Sequence, residues 1–207
     1  MTVQNQPLQL HIALNKTTFQ ADEVIVSATR ANERTGTTFT NVSKEEIQER
    51  NFGQDIPYLL DQTPSVVVNS DAGAGVGYTG IRIRGSDITR INVTVNGIPV
   101  NDAESHGAFF VNMPDLGSSI QDVQVQRGVG TSTNGAAAFG ASLNIRTTGF
   151  NQEAYAELNN TYGSFDTWKH TVAFGTGLIK NKFSFDGRLS KISSDGYVDR
   201  AFSNLKS

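Results

Sequence analysis

The chain has 207 residues, of which 37% are hydrophobic and 18% are charged, and its formal net charge is -3. It contains no cysteine, which excludes disulfides, thiol catalysis and cysteine-based metal sites. No block of lysine and arginine occurs, so nucleic acid is not expected as a partner. No apolar run is long enough for a membrane-spanning helix.

Residues 1–34 are predicted to form an extension ahead of the first domain. Within it, residues 8–14 alternate between apolar and other side chains, which predicts a strand. A short apolar run behind two acids follows, in the order Asp22, Glu23, Val24, Ile25, Val26, Ser27 and Ala28. The first ten residues lack the basic and apolar parts of a signal peptide, so we expect any export signal to lie upstream.

The next segment predicts two short helices. Ser43 and Glu46 have the spacing of a capping box, in which each side chain satisfies a free backbone amide of the other residue. This predicts a helix that begins at Ser43 and ends at Arg50. A second helix is predicted to begin near Asp55, with Pro57 tolerated in its first turn, and to end before Pro64.

Short strands and turns dominate the residues that follow. Alternating or apolar runs predict strands over residues 66–69, 81–85, 91–95, 98–100, 123–127 and 143–145. Asn96 and Gly97 supply a strong hairpin signal between the third and fourth of these strands. In the second strand, Arg82 and Arg84 are expected on the face opposite to the isoleucines. Residues 71–80 contain four glycines and predict a turning loop.

From residue 152 the pattern changes to alternating segments of roughly ten residues, which is typical of membrane barrel strands. The clearest segment is residues 182–190, whose apolar side chains point the same way. Tyr162 and Trp168 are residue types that line membrane interfaces. A soluble β-sandwich hairpin with one buried face fits the same alternation equally well.

Three segments, in their order, resemble the signature segments of the plug of a TonB-dependent outer-membrane receptor. They are IRIRG at residues 81–85, INVTVNGIPVND at residues 91–102, and VQVQRGVGTSTNGAAAFGASLNI at residues 123–145. Residues 22–28 resemble the TonB box of the same family. The chain departs from the family pattern at Asn96 for Asp, Gln124 for Glu, Val129 for Pro, Asn134 for Tyr and Ala141 for Gly.

The resemblance implies an α+β fold class, with a plug domain over residues 35–148 that holds a small mixed β-sheet and short helices. Residues 152–207 are then antiparallel strands that begin a truncated transmembrane β-barrel. The implied function is the gate of a receptor for active uptake of a scarce substrate, such as an iron chelate, cobalamin, haem or a glycan. A soluble binding module and a signal-transducing receptor are the alternatives.

The resemblance also implies partners and a location. The partners are the C-terminal domain of TonB in the periplasm, the protein's own barrel, a small-molecule or glycan substrate, and the outer membrane of a Gram-negative bacterium. Neither catalysis nor a cofactor is implied. The three histidines are scattered, and the glycine-rich segments lack the Lys-Ser/Thr of a phosphate cradle, so the residues give no support to an enzyme.

Roles for single residues follow from the same resemblance. TonB would capture residues 22–28 by strand addition, for which an unpaired β-prone segment is suited; an ordinary edge strand is the alternative. Arg84 and Arg127 match the family's plug arginines that pair with glutamates on the barrel wall; exposure of both arginines to solvent is the alternative.

Two loops, residues 71–80 and 101–113, are candidates for contact with substrate. The second offers charge, a ring nitrogen and aromatic area through Asp102, Glu104, His106, Phe109 and Phe110. Carboxylates beside a histidine also fit a metal site, but three polar residues in one loop are more often only solvated, and no metal site is predicted. For the two phenylalanines, core packing is at least as good an interpretation as ligand stacking.

Overall fold

The computed structural model of the protein describes residues 30–129, 139–147, 149, 151–180 and 182–207. The strand predicted at residues 8–14 and the TonB-box-like segment at residues 22–28 lie outside these described residues. Within the described part, no helix is both long enough and apolar enough to cross a membrane.

The described residues form two short α-helices, three short 3-10 helices and eleven strands. Helix α1 spans Lys44–Arg50 and helix α2 spans Ile56–Leu59. The strands are β1 Thr38–Ser43, β2 Val66–Ser70, β3 Thr79–Ile83, β4 Ile91–Val95, β5 Ile98–Pro99, β6 Ile120–Arg127, β7 Ala141–Thr147, β8 Ala154–Gly163, β9 Thr167–Thr176, β10 Asp186–Ser194 and β11 Ser203–Lys206.

Five strands form a mixed sheet in the order β1-β6-β7-β4-β5. Strand β4 pairs with β7 in parallel, and the other neighbours pair antiparallel. The β4–β5 hairpin turns at Asn96 and Gly97, whose φ angles are 52° and 80° as a tight two-residue turn requires. The predicted small mixed sheet and its hairpin are therefore confirmed.

Both helices and the β2–β3 hairpin contribute to the hydrophobic core on one face of this sheet. Its buried members include Ile47, Ile56, Leu59, Leu60, Ile81, Ile83, Ile91, Val93, Phe110, Val123, Val125, Leu143 and Ile145. Helix α1 begins as predicted, because Ser43 accepts from the Glu46 amide and Glu46 accepts from the Ser43 amide.

Strand β3 ends at Ile83, two residues before the end of its predicted range. Arg82 is exposed, as expected for the position between two buried isoleucines. Arg84 and Gly85, however, have φ angles of 51° and 79°, and Ser86 bonds back to Ile83 to close a turn. The prediction that Arg84 shares a strand face with Arg82 is therefore wrong.

The second face of the five-stranded sheet is polar and nevertheless buried. It carries the amides and hydroxyls of Asn92, Thr94, Gln124, Gln126, Ser142 and Asn144. The Gln126 amide donates to Gln124 Oε1 at 2.8 Å, and the Thr94 hydroxyl donates to Asn144 Oδ1 at 2.9 Å. These bonds satisfy part of the buried polar face, whereas the side-chain nitrogens of Asn92 and Asn144 have no hydrogen-bond partner among the described residues.

Strands β8 to β11 form a separate antiparallel sheet in the order β11-β10-β9-β8. Three of these strands have nine or ten residues, which confirms the ten-residue segments predicted from the sequence. Strand β10 begins at Asp186 and not at residue 182 as predicted. The reason is a tight turn in the connection before it, where Gly177 has a φ of 64° and Ile179 bridges to Phe183.

The four-stranded sheet exposes its apolar face. The outward side chains include Leu158, Tyr162, Trp168, Val172, Phe174 and Leu189, all more than a third exposed. The opposite face lies against the five-stranded domain and buries Lys169, Thr171, Ser190, Ile192 and Ser194. A soluble sandwich covers its apolar face, so this arrangement contradicts that alternative.

Candidate functional site

The contact between the two sheets centres on the carboxylate of Asp115. Side chains that bond to it come from its own turn and from β9 and β10: Ser118, Lys169, Thr171, Arg188 and Ser190. The two ion pairs measure 2.8 Å to Lys169 Nζ and 2.9 Å to Arg188 Nη1. Asp115 thus ties the five-stranded domain to two neighbouring strands of the second sheet.

The charges of this cluster are removed from water. The side chain of Asp115 is 0% exposed and that of Lys169 is 3% exposed. Burial by itself raises the pKa of Asp115, but the charge of Lys169 and the hydrogen bonds from Lys169, Ser118 and Ser190 hold it below its ordinary value of 3.8. Asp115 is therefore ionised in the assembled structure.

Local structure explains how these groups meet. Asp115 has a φ of 52°, in the left-handed region that Asp and Asn tolerate better than most residues. Alternation along β9 places Lys169 and Thr171 on one face, and the β9–β10 register sets Thr171 opposite Ser190.

Sequence reasoning missed the cluster because its partners are far apart in the chain, by 73 residues for Arg188. A lysine on the polar side of a predicted strand was the available signal.

The two arginines predicted to face the barrel wall lie together at the end of β6. Arg84 Nη1 donates to the Arg127 carbonyl at 3.3 Å, and Arg127 Nη1 donates to Thr40 Oγ1 at 2.8 Å. Neither forms an ion pair with another residue that the structure describes. Their pairing with wall glutamates stays a prediction.

The loop over residues 101–113 is held by its own polar groups. The Asp102 carboxylate accepts from the amides of Glu104 and Ser105 at 3.1 and 2.7 Å. These bonds, first of all those from Ser105, hold the pKa of Asp102 below its ordinary value. The His106 amide donates to the Asp102 carbonyl at 2.9 Å. No group of three or more His, Asp or Glu in the described part is placed to bind a metal.

The structure separates the two phenylalanines of this loop. Phe110 is 2% exposed and belongs to the hydrophobic core, which supports packing and not ligand stacking. Phe109 is 47% exposed and offers its ring to the surface. Of the aromatic candidates, only Phe109 can reach a ligand without rearrangement of the core.

The glycine-rich loop over residues 71–80 lies on Asp55, at the start of α2. The Asp55 amide donates to the Gly75 carbonyl at 2.9 Å, and the Thr79 hydroxyl donates to Asp55 Oδ2 at 2.9 Å. Burial of Asp55 raises its pKa to about 6, although bonds from Thr79 and Gly77 oppose the shift. A Cβ at Gly75 would approach the Tyr58 ring to 2.9 Å, so the loop requires glycine there.

The first described residues are fixed to strand β6. The Ala31 amide donates to Gln124 Oε1 at 2.8 Å, and Gln124 Nε2 donates back to the Ala31 carbonyl at 2.9 Å. Arg30 forms an ion pair with Asp122, which also pairs with Arg146. Only a side chain with both a donor and an acceptor can bond to the amide and the carbonyl of Ala31 together. This gives a physical reason for glutamine at position 124.

A family model described as TonB-dependent Receptor Plug Domain matches residues 31–142. This is more than half of the chain, and the chain therefore belongs to the TonB-dependent receptor plug family. The matched range holds four strands of the five-stranded sheet and the start of β7, together with both helices, Arg84, Arg127 and Asp115.

Among curated proteins, the chain is similar to the Vitamin B12 transporter BtuB of Vibrio vulnificus. The two are 27% identical over 183 residues, which cover 85% of this chain and 28% of that protein. This chain therefore spans less than a third of the length of the relative it matches.

Solved structures of receptors share the fold. BauA, the ferric preacinetobactin receptor of Acinetobacter baumannii, matches 79% of this chain and 24% of its own, with a TM-score of 0.63 and 20% identity. The pyoverdine receptor FpvA of Pseudomonas aeruginosa matches 80% of this chain and 23% of its own, with a TM-score of 0.61 and 16% identity. At these identities the likeness shows the fold alone, a plug followed by the first strands of a barrel.

Proposed function

We propose that this chain is the gate of an outer-membrane receptor that takes up a scarce iron chelate or cobalamin in a Gram-negative bacterium. The observation that carries the proposal is the placement of a plug-family domain against the polar face of strands whose other face is apolar and exposed. Barrel strands in a membrane require an apolar outer face and admit a polar interior.

The cluster of Asp115, Lys169 and Arg188 supports the placement of the plug inside the wall. The charges of Asp115 and Lys169 are buried and paired, and Arg188 is partly buried, whereas a chance contact between exposed surfaces would leave these charges in water. In this cluster the plug supplies the carboxylate and the strands supply the cations. In the arginine pairs that the family resemblance implies, the plug supplies the cation instead. Arg84 and Arg127 are proposed to add pairs to wall glutamates.

Coupling to TonB is proposed for residues 22–28. This segment ends two positions before Arg30, where the chain becomes fixed to β6 through Asp122 and Gln124. A pull on the segment would reach β6, the strand that ends at Arg127, before it reached the rest of the plug.

Binding of substrate is proposed for the loops over residues 71–80 and 101–113. Asp102, Glu104, His106 and Phe109 remain candidates, since Phe110 packs in the core. The iron-chelate and cobalamin classes are favoured because BtuB is named a vitamin B12 transporter and BauA a ferric preacinetobactin receptor.

The coupling part is tested by changing Val24, Ile25 and Val26 to Gly in the full-length receptor. Glycine weakens strand formation, so we expect the purified TonB C-terminal domain to lose binding and uptake to stop, while substrate binding persists. The matched control changes Gln4, Asn5 and Gln6 to Gly. Equal TonB affinity in the two variants would refute the assignment of residues 22–28.

The substrate part is tested by calorimetry with ferric siderophores, cobalamin, haem and oligosaccharides. We expect one iron chelate or cobalamin to bind, and the same compound to support growth only when the receptor is present. Binding of an oligosaccharide alone would overturn the proposed substrate class and leave the receptor assignment intact.

A further inference from the structure

A row of polar and basic side chains crosses the exposed face of the four-stranded sheet. The strand register sets Asn160 opposite His170, His170 opposite Lys191, and Lys191 opposite Lys206. Residues directly opposite in antiparallel strands point to the same face. These four exposed residues, one from each strand, are called the basic row below.

The two lysines of the basic row form an unfavourable pair. Their neighbours Ser190 and Ser207 exchange both backbone hydrogen bonds, at 2.7 and 3.0 Å, so Lys191 and Lys206 occupy the next, non-hydrogen-bonded position. Side chains approach most closely at such positions, and like charges placed there destabilise a sheet. An anion bound between the two ammonium groups would remove this repulsion.

No carboxylate of the described structure neutralises the basic row. The two acids within these strands, Glu157 and Asp186, occupy the alternate positions that face the plug. Lys191 and Lys206 form no ion pair with a described residue. Asp166, at the tip of the β8–β9 hairpin, instead accepts from the Trp168 indole at 2.9 Å.

The surroundings of the basic row indicate the kind of anion. On one side, Tyr162 lies 4.4 Å from Trp168, and Trp168 stacks on His170 at 5.9 Å between ring centroids. On the other side lies an apolar layer formed by Leu158, Val172 and Leu189. Aromatic residues mark the head-group level of a bilayer and aliphatic residues its hydrocarbon.

His170 bonds to its neighbour Asn160 in the basic row. Its Nδ1 lies 2.7 Å from Asn160 Oδ1, which can only accept, so Nδ1 carries the hydrogen. Nε2 of the neutral ring is then an acceptor, so the two lysines and not the imidazole supply the donors for an anion.

We propose that the basic row binds the phosphate of an anionic lipid head group, in the leaflet that borders the tip of the β8–β9 hairpin. This rests on the proposed location of the strands in a membrane. Lysine stems cover apolar surface while their ammonium groups reach the head groups. Each lysine near an anionic head group is expected to contribute about five-fold in affinity.

The test is titration of the full-length receptor, in a neutral detergent, with phosphatidic acid or phosphatidylcholine, followed by native mass spectrometry. We expect preference for phosphatidic acid, reduced about five-fold by Lys191→Gln and about 25-fold by Lys191→Gln with Lys206→Gln. The matched control, Arg34→Gln with Arg82→Gln, removes the same charge from exposed plug positions and is expected to keep the preference.

Two results would overturn the proposal: equal lipid preference in the double variant and its control, or displacement of the lipid by inorganic phosphate at a similar concentration. The second result would identify a site for free phosphate. Flotation with phosphatidylcholine vesicles separates this proposal from the proposed function. A receptor that incorporates without lipid preference refutes the basic row alone, whereas one that does not incorporate refutes the membrane location.

Discussion

In the five-stranded sheet, Val123 and Val125 are fully buried among apolar neighbours, whereas in the four-stranded sheet Leu158 and Leu189 are two-thirds exposed and Lys169 is buried. Alternation along the strands therefore buries the apolar side chains of the first sheet and exposes those of the second. Alternation gives each strand two distinct faces. Which face is covered depends on what surrounds the sheet, a protein core for the plug and, under the proposed function, lipid for the strands.

The largest effect is expected at the Asp115 cluster, where ion pairs join the two regions in the described structure. Asp115→Asn removes the carboxylate and leaves the buried Lys169 and the partly buried Arg188 without their anion. Loss of one partner from a buried ion pair costs about 3–5 kcal/mol. Asparagine also tolerates the left-handed backbone at this position. We expect hydrogen exchange in β9 and β10 to increase strongly, while the plug core keeps its protection.

The matched control is Asp61→Asn, because Asp61 is exposed and has no ion pair with a described residue. It should leave exchange unchanged in both regions. If Asp115→Asn behaves like this control, the cluster does not dock the plug on the strands.

The two regions should also respond in opposite senses to acid. The lowered pKa of Asp115 means that its contribution is present above its ordinary value of 3.8 and is lost as the pH falls through the lower folded value. The raised pKa of Asp55 means that the folded plug holds a proton between pH 3.8 and about 6 that the unfolded chain releases. The stability of the plug therefore falls as the pH rises through that window.

Asp55→Asn should remove this dependence. The amide is neutral at every pH and its oxygen can still accept from Thr79. Relative to the parent, the variant should be more stable at pH 7, by up to about 3 kcal/mol, and no more stable near pH 4. Urea unfolding followed in the plug at several pH values measures the difference. If the difference in stability between the variant and the parent stays constant between pH 3.8 and about 6, ionisation of Asp55 does not cause the pH dependence.

Sequence patterns anticipated the parts of both regions that depend on neighbouring residues. The capping box of Ser43 and Glu46, the turn at Asn96 and Gly97, and the lengths of the wall strands are all short-range features. The Asp115 cluster and the pair between Ala31 and Gln124 were not anticipated, because their partners meet only in the folded chain. The exposed face of the strands was ambiguous for the same reason.

A smaller effect is expected at Gln124, which bonds to Ala31 next to the proposed TonB-coupling segment. Gln124→Glu keeps the acceptor for the Ala31 amide but loses the donor to the Ala31 carbonyl and to Asn41. An unsatisfied buried group costs about 1–3 kcal/mol. We expect faster trypsin cleavage at Arg30 and Arg34 with little change at the strands. The control is Gln121→Glu, which lies on the same strand and is only partly buried. Equal cleavage of the two variants would show that the Gln124 side chain does not hold Ala31 on β6.

The smallest effect is expected at the β4–β5 turn of the plug. This hairpin lies at the edge of the five-stranded sheet, and β7 separates it from β6, which carries Gln124. Asn96 accepts from the Thr147 amide at 2.9 Å and donates to the Thr147 hydroxyl at 2.7 Å. In Asn96→Asp the carboxylate keeps the first bond, and the hydroxyl can reverse to donate the second. Asp also tolerates the positive φ, so the free energy of unfolding should change by less than about 0.5 kcal/mol. Asn96→Ala loses both bonds, each worth about 0.5–1.5 kcal/mol, and tolerates the positive φ less well than Asn or Asp, so it should cost at least about 1 kcal/mol. Equal losses in the two variants would show that neither the bonds to Thr147 nor tolerance of the left-handed angle stabilises this turn.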